Sequence, residues 1–207
     1  NEVGMDMEKG LVYFIATPEN FTQRYLYQAK LFGKGEVKRL SPADQSGQHR
    51  YNMSPTGKWA VHTFSNAQTP PVIDMVSFPG HKSVRLITDN AKAKEQWKAL
   101  GLNNKEFFKV QSGDWTLDGW MIKPVNFDAS KKYPVIMHQY SGPGSQEVLD
   151  TWRIGARADG GMFEAVMSSQ GFIMVCVDGR GTGGRGADFE KCTYLNLGVK
   201  EARDQVE

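Results

Sequence analysis

The hydrophobic period of this chain changes near residue 105, which calls for two structural units of different class. Residues 1–105 read as short strands separated by turn signals at roughly 8–12-residue spacing. Leu11-Val12-Tyr13-Phe14-Ile15-Ala16 is rich in aromatic and β-branched residues, and Thr17-Pro18-Glu19-Asn20 breaks it. Residues 24–31 alternate at period two before Gly33-Lys34-Gly35 turns the chain, and 37–40 and 51–53 form two shorter strands. In Ser54-Pro55-Thr56-Gly57-Lys58, proline fixes one φ and glycine supplies a positive one, a tight turn that feeds a strand over 59–63. Strands over 72–78 and 83–87 follow, on either side of Pro79-Gly80. This makes about seven evenly spaced strands, the cue for four-stranded propeller blades, and one strand short of two whole blades. Residues 91–100 predict a short linking helix stopped by Gly101.

Residues 106–207 carry another pattern. Segments 106–111 and 115–123 flank Ser112-Gly113-Asp114 as a hairpin. Residues 134–140 begin with an apolar run suited to a buried strand. Residues 160–170 predict a helix with Met162, Phe163, Val166 and Met167 on its apolar face, and Gly171 stands as its stop. A second continuous apolar strand spans 172–177, which completes the strand–helix–strand order of an α/β domain. Residues 195–207 predict a further helix, with Val199, Ala202 and Val206 at helical spacing. Position 1 is Asn and the last helical pattern runs on uncapped, so both ends read as internal to a longer chain.

Charge excludes one class of partner. The 25 basic residues nearly balance the 23 acidic ones and are scattered singly, which leaves no footprint for nucleic acid. No apolar run approaches the ~20 residues that span a bilayer, and the first ten residues lack the features of a signal peptide. Cys176 lies within an apolar run and reads as a small buried thiol, with a Cys176–Cys192 bridge as the alternative.

Three motifs are candidates for chemistry. No Gly-x-Ser-x-Gly elbow occurs, so His49, His62, His81 and His138 have no nucleophile to serve; packed or solvated histidines are the simpler reading. Gly179, Gly181 and Gly184 fit G-x-G-x-x-G after an apolar strand, as in dinucleotide binding. The following Ala187-Asp188-Phe189-Glu190-Lys191 is wrong for such a helix start, and Glu201 or Asp204, the acids available for a ribose, belong to a helix. A structural loop with several positive φ angles is the better reading. Gln139-Tyr140-Ser141-Gly142-Pro143-Gly144 puts a phenol at the C-terminal edge of a strand, where open α/β sheets keep their sites. Tyr140 is either an anchor for the turn or a donor to a developing oxyanion.

Taken together, the motifs resemble those of dipeptidyl-peptidase IV and its relatives in the prolyl oligopeptidase family. Tyr140-Ser141-Gly142-Pro143-Gly144-Ser145-Gln146 is similar to the family's Tyr-x-Gly-Pro-x-Ser-Gln segment, and Asp178-Gly179-Arg180-Gly181-Thr182-Gly183 to its Asp-Gly-Arg-Gly-Ser/Thr-Gly loop. Ser54-Pro55-Thr56-Gly57-Lys58 resembles the turns of its propeller blades, Lys131-Lys132-Tyr133-Pro134 the entry to the first hydrolase strand, and Leu197-Gly198 with residues 201–207 the helix before the nucleophile strand. The resemblance implies β-propeller blades over residues 1–105, then a partial α/β-hydrolase domain over 106–207 that stops before the nucleophile. It makes Tyr140 an oxyanion-hole donor, sets Arg153 near the active-site mouth, and turns Asp178, Gly179, Arg180 and Gly181 into a structural loop. It implies no cofactor, an exported or membrane-anchored parent (with a cytosolic one as the alternative) that forms homodimers and releases N-terminal dipeptides ending in Pro or Ala, and a 207-residue piece that is inactive alone. A catalytically dead binding module and a dinucleotide-binding protein are the competing classes.

Overall fold

A computed structural model describes residues 2–152 and 162–206. The chain divides into two compact units: Asn1–Lys94 with Asp150–Trp152, and Glu95–Leu149 with Arg153–Glu207.

The first unit consists of two four-stranded antiparallel meanders, the architecture of propeller blades. One contains β1 (Glu2–Asp6), β2 (Leu11–Ala16), β3 (Tyr25–Lys30) and β4 (Lys38–Arg39); the other contains β5 (Gln48–Met53), β6 (Trp59–Asn66), β7 (Thr69–Ser77) and β8 (Lys82–Thr88). Inward-facing residues alternate along the strands, as period two requires. Tyr13 and Leu26 from the first sheet meet Ala60, Val76 and Phe78 from or beside the second in one buried cluster. Burial contributes about 1.5–3 kcal/mol for each large apolar side chain there.

The count is eight strands where the pattern suggested seven. The missing one is β1, whose Glu-Val-Gly-Met-Asp offers only Val3 and Met5 as an apolar alternation. It is held by pairing with β2 across an irregular register between Glu2 and Gly4, a long-range partner that local propensity does not see.

The second unit is a mixed sheet flanked by helices. Its strands are β9 (Glu106–Ser112), β10 (Trp115–Ile122), β11 (Val135–His138) and β12 (Ile173–Asp178), in the order β11-β12-β10-β9. β11 and β12 run parallel, with Val135 opposite Ile173 and His138 opposite Cys176. Helix α2 (Met162–Ser169) connects them, the βαβ order read from the sequence. Helices α3 (Ala187–Lys191) and α4 (Val199–Val206) complete the unit, and the division between the units falls within α1 (Ala91–Ala99). Trp120, Ile122, Val148, Met174 and Cys176 form its main core.

Three expectations need correction here. β11 ends at His138, so Tyr140 stands on the loop beyond the strand. Helix α2 buries Glu164, Ala165 and Ser168, while Met162, Phe163 and Val166 of the expected apolar face are exposed. Helix α4 starts at Val199, four residues later than expected; Leu195 there has a positive φ, and Val199 and Val206 are exposed. Its buried side chains are Glu201 and Asp204. Met167 of the expected α2 face does pack against the core, beside a buried Glu164, Ala165 and Ser168, whereas α4 buries only acids.

Candidate functional site

The Tyr140 motif and the glycine-rich loop meet at the C-terminal ends of β11 and β12. Beyond His138 the chain makes a tight turn, in which Ser145 N–H donates to Gly142 O at 3.1 Å and Ser145 Oγ to the same oxygen at 2.6 Å. Gly144 has φ +77°, which explains a glycine at that position. The turn leaves the Tyr140 side chain 67% exposed. An open apolar cavity of about 700 Å³ lies beside it, lined by Pro143, Thr193, Tyr194, Leu195 and Leu197 among others.

The glycine-rich loop is the floor of this arrangement. Gly183 N–H donates to Ser145 O at 2.7 Å, and the Asp178 carboxylate accepts from Glu147 N–H at 3.1 Å and Val148 N–H at 2.8 Å. Burial raises the Asp178 pKa to about 6, against the lowering effect of these two amides. Gly181 has φ +99°, and a Cβ there would come within 2.9 Å of the Thr193 methyl. Gly179 has its own restriction, since a Cβ would meet Asp204 Cβ at 3.2 Å. The loop thus needs glycine for backbone shape and close approach, as the structural reading requires.

Asp204 holds the loop from α4. Its carboxylate accepts from Arg180 Nη2 at 2.6 Å, from Arg180 backbone N–H at 2.6 Å and from Ser112 Oγ at 2.7 Å. The Asp204 side chain is fully buried. Burial alone would raise its pKa; the Arg180 and Ser112 hydrogen bonds outweigh that and hold it below the usual carboxylate range. Glu201 Oε2 accepts from Gly198 N–H at 2.9 Å, a cap on the same helix. Neither acid is presented to a ribose, and the dinucleotide reading loses its recognition group.

The other singled-out residues separate into two groups. Arg153 lies outside the described residues. His49, His62 and His81 are packed in the first unit, far along the chain from Tyr140. His49 Nε2 faces Gln45 O at 2.8 Å, His49 Nδ1 faces His62 Nε2 at 2.9 Å, and His62 Nδ1 faces Asp74 Oδ1 at 2.9 Å. Tyr51 OH bonds His81 Nε2 at 2.7 Å. His138 belongs to the second unit, with Nε2 3.5 Å from Glu147 Oε2. Both cysteines are free thiols, and burial pushes the Cys176 thiol well above its ordinary range. Sequence reasoning singled out the two motifs separately. It missed Asp204 as the anchor of the glycine-rich loop and the Glu147 amide as a donor to Asp178.

Known proteins agree with this geometry. Residues 1–71 match the dipeptidyl peptidase IV (DPP IV) N-terminal region, and residues 162–207 match the prolyl oligopeptidase family. A probable dipeptidyl-aminopeptidase B of Chaetomium globosum is 34% identical over 98% of this chain and 21% of its own length. The crystal structure of Porphyromonas gingivalis dipeptidyl peptidase 4 superposes with a TM-score of 0.89 at 36% identity, covering 100% of this chain and 28% of that one. A putative dipeptidyl aminopeptidase IV from Bacteroides ovatus gives 0.82 at 27% identity, again with 28% of its chain covered. The chain therefore spans about a fifth of the length of the curated relatives it matches. Among the described residues no helix is long and apolar enough to cross a membrane. Blade-type sheets, a βαβ unit, two hydrolase motifs in contact and matches at both ends of the sequence agree: this chain belongs to the dipeptidyl-peptidase IV-like members of the prolyl oligopeptidase family.

Proposed function

We propose that this chain is part of a serine exopeptidase that releases N-terminal dipeptides with Pro or Ala in second place, and that Tyr140 is one donor of its oxyanion hole. Residues 1–105 are read as the last blades of a propeller and 106–207 as the opening of the α/β-hydrolase domain. The observation that carries the reading is the Tyr140 phenol: two-thirds exposed, just past the C-terminal end of a parallel strand, on a loop braced by a second, glycine-rich one. A hydroxyl so placed donates a hydrogen bond to negative charge that develops on a substrate carbonyl oxygen. The second donor is the backbone amide after the catalytic serine. Serine, aspartate and histidine of the triad come from outside the 207 residues, which contain no Gly-x-Ser-x-Gly. Arg153 is assigned to substrate binding by the family resemblance alone. The parent is an exported or membrane-anchored homodimer.

Two measurements test this. The 207-residue chain alone should not cleave a Gly-Pro chromogenic substrate, and a fluorophosphonate should leave its mass unchanged, because no acyl-enzyme forms without serine and its base. Turnover or an adduct would refute the reading. In the full-length protein, Tyr140→Phe should lower kcat about 10²–10³-fold with KM and Tm nearly unchanged, since the bond is made only in the transition state. A lower Tm with normal kcat would make Tyr140 a turn anchor.

A further inference from the structure

His138 and Glu147 bracket the Tyr140 loop. His138 is the last residue of β11, and Glu147 closes the loop nine residues later, where Trp120 Nε1 donates to its carbonyl at 3.3 Å. Their side chains are 19% and 11% exposed, and His138 Nε2 faces Glu147 Oε2 at 3.5 Å. Both facing atoms are shut off from solvent, and among the described residues neither has another hydrogen-bond partner. Each atom is therefore matched only by the other, and leaving one alone would cost a desolvated, unpaired polar group.

Acidic groups crowd this part of the second unit. The Glu147 and Asp178 carboxylates repel each other, and Glu147 is one of the groups that raise the Asp178 pKa. Asp178 on β12, Lys105 ahead of β9 and Glu164 on α2 are the other titratable groups around the Cys176 thiol, which sits opposite His138. Closing an eight-residue loop also removes conformations in which Tyr140 points elsewhere.

We propose that the His138–Glu147 pair is a clamp that positions Tyr140. It acts through the loop and touches no substrate, and it rests on the reading of Tyr140 as an oxyanion donor. The test uses the full-length protein. His138→Leu with Glu147→Leu removes both polar ends together, a replacement that is often neutral for stability. It should lower kcat about tenfold, inside the ~10²-fold that a 1 Å misplacement costs, and leave KM within about twofold. His138→Gln, whose amide still donates to Glu147, should recover most of that loss. In a Tyr140→Phe background the double replacement should have no further effect, because the group it positions is gone. Normal kcat in the double variant overturns the clamp. So does a tenfold loss that persists in the Tyr140→Phe background, which marks a merely structural pair, or a His138→Gln variant as poor as the leucine one. A silent Tyr140→Phe removes the oxyanion reading itself and the clamp with it. Should the double variant not fold, His138→Leu alone takes its place with the same outcomes.

Discussion

The two units bury their polar groups in opposite ways. The first hides neutral, titratable rings: His49, His62 and His81 stack with Tyr51 and Phe78, and one end of the hydrogen-bonded row is Asp74. The second hides formal charges in pairs, Asp204 with Arg180 and Asp118 with Lys109 and Arg185. A neutral ring needs no counter-charge, but it resists protonation. A buried ion needs its partner, and it resists removal of that partner. The first unit should therefore yield to acid, and the second to substitution.

The largest expected effect is Asp204→Ala. It leaves the Arg180 guanidinium without its carboxylate and deprives Ser112 Oγ and the Arg180 amide of their acceptor. Removing one partner of a buried pair typically costs about 3–5 kcal/mol. Cys176 is buried in the second unit, so thiol labelling in urea reports that unit's unfolding. The labelling midpoint should fall sharply, while the imidazole NMR signals of the first unit hold their midpoint. Equal shifts in both probes would break the division between the units.

Acid should act the other way round. Burial lowers the pKa of His49 to about 3 and of His81 to about 4, and it lowers that of His62 against the opposing pull of Asp74. In the unfolded chain these imidazoles take up protons below about 6.5. The unfolded state then binds more protons, so the first unit loses stability as pH falls from 6.5 toward 4, by about 1.4 kcal/mol per pH unit for each of His49 and His81, with His62 acting in the same direction. Asp178 in the second unit has the opposite sign. Its folded pKa of about 6 lies above the unfolded value, so the folded state binds the extra proton between about 6 and 4, and acidification favours it there. Urea melts at pH 7 and pH 5, with thiol labelling pulsed at neutral pH, should show the imidazole midpoint falling more than the thiol midpoint. Parallel shifts would mean that the histidines are not neutral in the fold.

Much of this organisation is legible in the sequence, and the misses have a common cause. The blade strands, the hairpin over β9 and β10 and the βαβ order follow from period, turn chemistry and apolar runs, all of them local signals. Strand β1 was invisible because its five residues gain their partner from β2 rather than from their own alternation. The packed face of α4 and most of that of α2 escape the pattern because Glu164, Glu201 and Asp204 are buried where periodicity expects apolar side chains; of the expected α2 face, Met167 packs against the core. For Glu201 and Asp204 the reason is a hydrogen bond to a turn or loop, a demand that no hydrophobic pattern encodes. The site shows the same limit. Tyr140 and the Asp178–Gly181 stretch stand out as motifs, but the bond from Gly183 to Ser145 joins positions 38 residues apart, and only the fold reveals it.

The smallest expected effect sharpens the contrast with Asp204. Glu106 Oε2 accepts from Lys123 Nζ at 2.6 Å, the same separation as the closest Arg180–Asp204 contact. If distance decided the worth of an ion pair, the two would be equal. Their surroundings differ: Glu106 is 54% exposed and Asp204 is fully buried. Water around Glu106 screens the attraction and solvates the carboxylate when the lysine moves away, and both long side chains lose rotamer freedom to hold the pair. Glu106→Gln removes the charge, keeps the size and leaves Lys123 hydrated, so nothing buried is orphaned. The expected cost is below about 1 kcal/mol, and it should fade further in high salt, where a buried pair is screened much less. Urea melts of the two variants at low and high ionic strength decide between distance and burial. A Glu106→Gln loss as large as that of Asp204→Ala would show that separation, and not desolvation, sets the value of charge pairs in this unit.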